Sequence, residues 1–246
     1  MNEQEMRRKL IDLGEIPVYP DPWPDVDILI SHYGYGRKDR DFVVKLCMKA
    51  ALDTDYPGKK RLIIAICGTT PDMEEFIRSL GTDDFPVKII RVQNSIGYAK
   101  TRLIEEAEAG IVGLLDDDAL VRSTWMREGV GRVREGIIVG LSSRRNKIAP
   151  FGGGWVMHKS TAVRVGLFRY DFKKPIGPIF RLGPLRMDSE KEFAMRAMEK
   201  GCRFLRTPKG HSQIMHVWEG RKKRNHEFCK GCCESFLGKK IEEYGL

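Results

Sequence analysis

Three consecutive carboxylates, Asp116-Asp117-Asp118, are the residues of this 246-residue chain whose spacing points most directly to chemistry. Like charges at one place repel unless a cation or basic groups compensate them. In extended backbone, alternate side chains share a side, so Asp116 and Asp118 point one way and Asp117 the other. Two carboxylates on one side suit a hard ion such as Mg²⁺ or Mn²⁺. Such an ion bridges a protein to a diphosphate and offsets charge on a phosphate leaving group. The alternative is a solvated acidic turn that caps the next helix. A second acidic group, Asp188-Ser189-Glu190-Lys191-Glu192-Phe193, opens a helical pattern. Ser189 and Glu192 have the spacing of a capping box, and Gly201 that of a terminator. Glu190 shares a face with Phe193, Ala194 and Ala197, so it starts the helix on its buried side, at the edge of a cleft.

Elements to position these residues are legible upstream. Val26 to Ile30 is a compact apolar run ending at Ser31-His32-Tyr33-Gly34. A helical pattern follows from about Arg40 to Leu52, then a buried strand from Leu62 to Cys67. Thr70-Pro71 opens the next helix, with Thr70 as cap and Pro71 at the first helical position. Val87 to Val92 reads as a strand and Tyr98 to Gly110 as a helix, with Ala99, Leu103 and Ala107 on one face. Ile111 to Leu115 is a fourth strand, running straight into Asp116. This alternation predicts an α/β domain with a largely parallel sheet and flanking helices. Ligands of such sheets bind beyond the carboxyl ends of the strands. Ser31 and Tyr33, just after the first strand, are therefore donor-site candidates. The reading divides the chain into an arm (residues 1–24), one domain (25–220, with halves 25–122 and 123–220) and a basic helical tail (221–246).

Composition bounds the rest. A hydrophobic fraction of 41% supports a sizeable core. No run reaches the ~18 apolar residues that span a bilayer. Met1 to Leu10 is charged and lacks the apolar core of a secretory signal, so a cytoplasmic location is expected. Six cysteines in a chain this long do not resemble a disulfide framework. The spacing His226-x-x-Cys229-x-x-Cys232-Cys233 is too tightly bunched for common zinc sites, and a basic amphipathic helix carrying buried thiols is expected there. The net charge of +9 is either a solvated surface or the mark of a phosphate-rich partner. Its basic clusters, Arg221 to Arg224 among them, are dispersed and lack aromatic interleaving, so nucleic acid is not favoured.

The run Asn94-Ser95-Ile96-Gly97-Tyr98-Ala99-Lys100-Thr101-Arg102, followed by a helix, a strand and Asp116-Asp117-Asp118, resembles the donor half of the GT-A fold glycosyltransferases. It is most similar to glycosyltransferase family two. The resemblance implies a Rossmann-like GT-A domain that moves a sugar from a nucleoside diphosphate sugar to an acceptor hydroxyl. It implies donor contacts from Asn94, Gly97, Arg102 and Asp116, and Mn²⁺ or Mg²⁺ held by Asp116 and Asp118. Leu103 stands where the family usually carries Asn, and Cys67-Gly68-Thr69-Thr70 where it often carries an aspartate. Gly153-Gly154-Trp155 resembles the acceptor segment, with Trp155 either stacking on a sugar or packing in the core. Glu190 takes the place of the base that deprotonates the acceptor, with Asp188 the competing base. His216, in the apolar run Ile214 to Trp218, matches a third metal ligand of some GT-A enzymes, although a lone histidine there is also an ordinary structural residue. The acceptor is an unknown glycan, lipid or small molecule, and the basic tail is a candidate for peripheral membrane contact. The rivals are a nucleotidyltransferase with a related α/β core and a non-catalytic polyanion or nucleic-acid binder.

Overall fold

Continuous apolar runs, with successive side chains on opposite faces, dictate a sheet covered on both faces. In the computed structural model, which describes residues 11–12, 17–34, 40–92, 96–141, 153–169, 189–207, 212–218 and 226–246, that is what forms. The chain runs through β1 (Ile11–Asp12), β2 (Val26–Tyr33), α1 (Asp41–Leu52), β3 (Lys60–Cys67), α2 (Pro71–Ser79), β4 (Val87–Arg91), α3 (Ile96–Glu106) and β5 (Ile111–Asp116). It continues through β6 (Ala119–Val121), α4 (Trp125–Val130), β7 (Ile137–Gly140), β8 (Gly154–His158), α5 (Lys159–Val165), α6 (Ser189–Glu199), β9 (Arg203–Arg206), β10 (Ile214–Trp218), β11 (His226–Glu227) and α7 (Lys230–Leu237), and ends on a 3₁₀ turn over Ile241–Tyr244.

Eight strands form one sheet in the order β1-β9-β7-β8-β5-β2-β3-β4. All its pairings are parallel except the two made by β8. Ile28 and Ile30 of β2 pack with Leu62, Ile64 and Ile66 of β3 against α1, α2 and α4. Their alternates Leu29, Ile63 and Ala65 face α3, α5 and α6. This is the mostly parallel single-domain α/β architecture that the sequence predicts, with helices on both faces.

Local signals acted largely as expected. Thr70 caps α2, accepting from Met73 N at 3.4 Å, with Pro71 at the first helical position. Gly201, at φ +76, ends α6 in the left-handed conformation. The expected capping box does not form, however. Ser189 is the first residue of α6, and the Glu192 carboxylate is taken by Arg196 at 2.5 and 2.8 Å. The guanidinium one turn on outcompetes a backbone N–H because both partners carry charge.

The tail is likewise built in. Cys233 of α7, Ile241 and Tyr244 join Val43, Leu46 and Cys47 of α1, together with Leu120 and Val217, in a third apolar cluster. Phe228 meets Phe42 edge-on, with ring centroids 5.3 Å apart. The expectation of buried tail thiols holds only for Cys233, because Cys229 and Cys232 lie on the outer side of α7 and are exposed. Among the described residues no helix is long and apolar enough to cross a membrane.

Candidate active site

The carboxyl ends of β2 and β5 lie side by side, with Ser31 in register with Asp116. Asp116 closes β5. The chain then turns and returns as β6, which pairs antiparallel with β10 so that His216 stands opposite Ala119. That pairing brings a histidine 98 residues away in sequence onto the acidic turn, with His216 Nδ1 3.2 Å from Asp118 Oδ1. Asp116, Asp118 and His216 each offer a ligand atom, all within 4.8 Å of one another. The backbone makes room for them. Gly153 has φ +65, and its carbonyl accepts a hydrogen bond from Asp116 N at 2.9 Å. A Cβ at Gly153 would fall onto the His216 ring and 2.9 Å from Asp116 Oδ2.

The extended alternation expected of the triplet stops at Asp116, because the turn begins at Asp117. The Asp117 carboxylate meets His32 Nδ1 at 2.8 Å and Arg40 at 3.3 Å. Arg40 also reaches Asp118 Oδ2 at 3.4 Å. Basic groups thus compensate each member of the triplet, which is how three adjacent carboxylates coexist in one turn.

The strongest compensation comes from a residue that was not a sequence candidate. Lys100 is 1% exposed, on the inner face of α3, and its ammonium lies 3.0 Å from Asp116 Oδ1. The same ammonium is ion-paired with Glu190 at the start of α6. Burial pushes the Lys100 pKa down, but the charges of Asp116 and Glu190 outweigh it and raise the pKa above the ordinary lysine value. Asp116 shows the mirror effect. Burial pushes its carboxyl up, and Lys100, with His216 behind it, holds it below the usual range. Lys100 is therefore a fixed cation joining the acidic turn to the helix that carries Glu190. The signal was present in the sequence. Lys100 falls on the same helical face as Leu103, Ile104 and Ala107, and a lysine on an apolar stripe requires carboxylate partners.

Other candidates fall elsewhere. Arg102 projects from α3 toward Glu105 and Glu106, at 2.8 and 2.6 Å, away from the acidic turn. It lies two positions after Lys100 on the helix, which places the two on different faces. Trp155 is 1% exposed and packs against Phe168 and Phe193, with centroids 5.5 and 5.6 Å apart. Its alternative reading as core therefore holds, and it presents no face to a sugar. Gly154 packs against Ile214, Leu141 and Leu115. Gly97 lets α3 approach the Arg169 carbonyl and Ser189. Ser31 is buried and Tyr33 half-buried at the end of β2. Asn94 and Asp188 lie outside the described residues.

Comparison of the sequence with family models and with curated proteins finds no match. Comparison of the structure does. The chain resembles a mannosyltransferase from Pyrobaculum calidifontis, solved in complex with GDP-Man and Mn²⁺, at TM-score 0.62 and 15% identity over 84% of this chain. It resembles TarS of S. aureus at TM-score 0.53 and 11% identity over 75% of this chain. A nucleotidyl transferase from Methanothermobacter thermautotroptrophicus matches at TM-score 0.50 and 14% identity over 74% of this chain. The chain spans 61% of the mannosyltransferase and 35% of TarS. The fold is thus the GT-A type of the glycosyltransferases.

Proposed function

We propose that the chain is a glycosyltransferase that moves a sugar from a nucleoside diphosphate sugar to an acceptor hydroxyl. The observation that carries this reading is the convergence of Asp116, Asp118 and His216 at the carboxyl edge of the sheet. Two carboxylates and one imidazole make a donor set that fits Mn²⁺, with Mg²⁺ the harder alternative. The backbone cleared at Gly153 supports the same assignment. A bound ion supplies charge compensation for the departing diphosphate. The mannosyltransferase's complex with GDP-Man and Mn²⁺ supports this donor class.

The chain's own groups do the remaining work. Glu190 accepts the proton of the attacking hydroxyl, in the manner of a general base. Lys100, charged and buried, positions Glu190 against Asp116 and holds the Asp116 carboxyl below its usual range. The residues 25–220 form the catalytic unit, with the acceptor a glycan, lipid or small molecule, and the basic tail next to it a surface for acceptor or membrane.

Nucleotidyl transfer is the second reading, because a nucleotidyl transferase shares the fold. Product analysis separates the two. Sugar transfer releases a nucleoside diphosphate, whereas nucleotidyl transfer from a triphosphate releases pyrophosphate. Donor binding is tested by melting the protein with nucleoside diphosphates, with and without Mn²⁺. A ligand specific to the native state raises the melting temperature. Asp116→Ala and Asp118→Ala should each lose the Mn²⁺-dependent part of the shift. If both variants bind like the parent, the metal assignment fails.

A further inference from the structure

The chain's six cysteines divide sharply by exposure. Cys47, Cys67, Cys202 and Cys233 are buried, whereas Cys229 and Cys232 are exposed. The exposed pair has the spacing Cys-x-x-Cys and sits at the start of α7. Cys229 is the N-cap residue, and its sulfur accepts a hydrogen bond from Cys232 N at 3.4 Å. At a helix start, Cα atoms three residues apart lie about 5 Å from each other, inside the range a disulfide bridges.

We infer that Cys229 and Cys232 are a redox-active dithiol that closes to an intramolecular disulfide by exchange with a small-molecule disulfide. The inference does not rest on the glycosyltransferase reading. Cys229 is the attacking group. The Cys232 side chain and then the backbone N–H groups of Cys232 and Gly231 donate to its sulfur and hold its pKa below the ordinary thiol value. The same interaction raises Cys232, which suits it to the second step. The thiolate, rather than the thiol, is the nucleophile, and exposed helix N-termini favour it.

In the first step Cys229 Sγ bonds to one sulfur of the small disulfide. The disulfide's S–S bond breaks, and the other half leaves as a thiolate that takes up a proton. In the second step Cys232 loses its proton and attacks Cys229 Sγ, expelling the second half as a thiol. Two protein thiols and one disulfide thus become one protein disulfide and two small thiols. A small dithiol reverses the change.

Cys233, the neighbour in sequence, takes no part. It is 1% exposed and packed among Cys47, Leu120 and Val217. The exchange is therefore confined to one pair of the six thiols.

The full chain, reduced and folded, is incubated with mixtures of oxidised and reduced glutathione, trapped by alkylation and read by peptide mass spectrometry. One Cys229–Cys232 disulfide should form and reopen with dithiothreitol. The other four thiols should stay unlabelled until denaturant is added. Cys232→Ser should accumulate a stable glutathione adduct on Cys229. Cys229→Ser should react roughly tenfold more slowly than the parent, because the more acidic thiol is gone. Both positions are exposed, and far-ultraviolet circular dichroism controls for folding. A lasting glutathione adduct on the unaltered chain overturns the inference. So does a Cys229→Ser variant as reactive as the parent, or zinc that co-purifies and is released when these thiols are alkylated.

Discussion

The two ends of the central strands each hold buried carboxylate, and they treat it differently. At the amino edge Asp27, 1% exposed, receives two hydrogen bonds from Arg61 at 2.9 and 2.8 Å. It receives two more from the backbone N–H groups of Glu108 and Ala109, at 2.7 and 2.9 Å. Four protein donors already hold it, three of them on Oδ2, and Arg61 matches its charge. A cavity of about 580 Å³ opens beside it, lined by Lys59, Asp83, Asp84 and Pro86 among others. Yet the carboxylate on that wall is already committed to protein donors. At the carboxyl edge Asp116 takes one lysine N–H at 3.0 Å and faces the ligand atoms of Asp118 and His216. Commitment to protein donors marks a structural carboxylate, and convergent, partly matched acceptors mark one that a ligand completes. Cavity size does not distinguish the two; hydrogen-bond inventory does.

The contrast is open to attack, first through stability. Asp27→Asn should cost about 3–5 kcal/mol, because it leaves the Arg61 guanidinium without its buried counter-charge and turns one acceptor oxygen into an NH2 that faces a donor. Denaturant melts read this. The surviving folded protein should still show the Mn²⁺-dependent nucleotide shift. If that shift vanishes with Asp27, the two edges are not independent.

Glu190→Gln removes the proton acceptor and keeps the shape. It should lower kcat by ~10²-fold or more with donor affinity nearly unchanged. Parental turnover would move the base to Asp188.

Asp116→Ala should cost far less stability than Asp27→Asn, about 1–2 kcal/mol, because Lys100 keeps Glu190 as a partner. A loss as large as that of Asp27→Asn would make Asp116 structural and erase the contrast.

The smallest effect is in the pH profile of Lys100→Met. The folded pKa of Lys100 is raised above its unfolded value. Its contribution is therefore complete below about pH 10.4 and is lost as pH rises through the folded value. The melting-temperature gap between parent and variant should stay level from neutral pH to about 10.4 and close only above it. On the acid side Asp116 is lowered, so its share is complete above the usual aspartate range and is lost as pH falls from there through its folded pKa. A gap that closes near neutrality would mean that Lys100 is not held charged by these carboxylates.

The order of strands and helices to Asp116 was legible because each element carries its own period. Strands β2, β3 and β5 are short apolar runs, and α1, α2 and α3 bury one stripe each. The acidic triplet, the inward start of α6 at Glu190 and the strand carrying His216 were readable for the same reason. Arg102 was chosen by motif position, and in the fold it pairs with Glu105 and Glu106. The helical period puts Lys100, rather than Arg102, on the buried face, and burial decides which cation meets Asp116. Trp155 shows the limit of a motif in another way. An aromatic residue beside glycines suits a sugar platform or a core equally, and only Phe168 and Phe193 behind it select the core.

The sequence by itself determined the α/β architecture and the placing of three carboxylates at the end of β5, because periodicity and apolar run length are properties of neighbouring residues. Only the tertiary structure decided that His216 lands on Asp118, that Lys100 ties Asp116 to Glu190, and that Gly153 leaves the space in which the ligand atoms converge. Those contacts join residues 98, 90 and 37 positions or so apart, through the pairing of β6 with β10 and the packing of α3 on α6. No local pattern encodes such pairs, because their energy is gained only when distant elements have already docked.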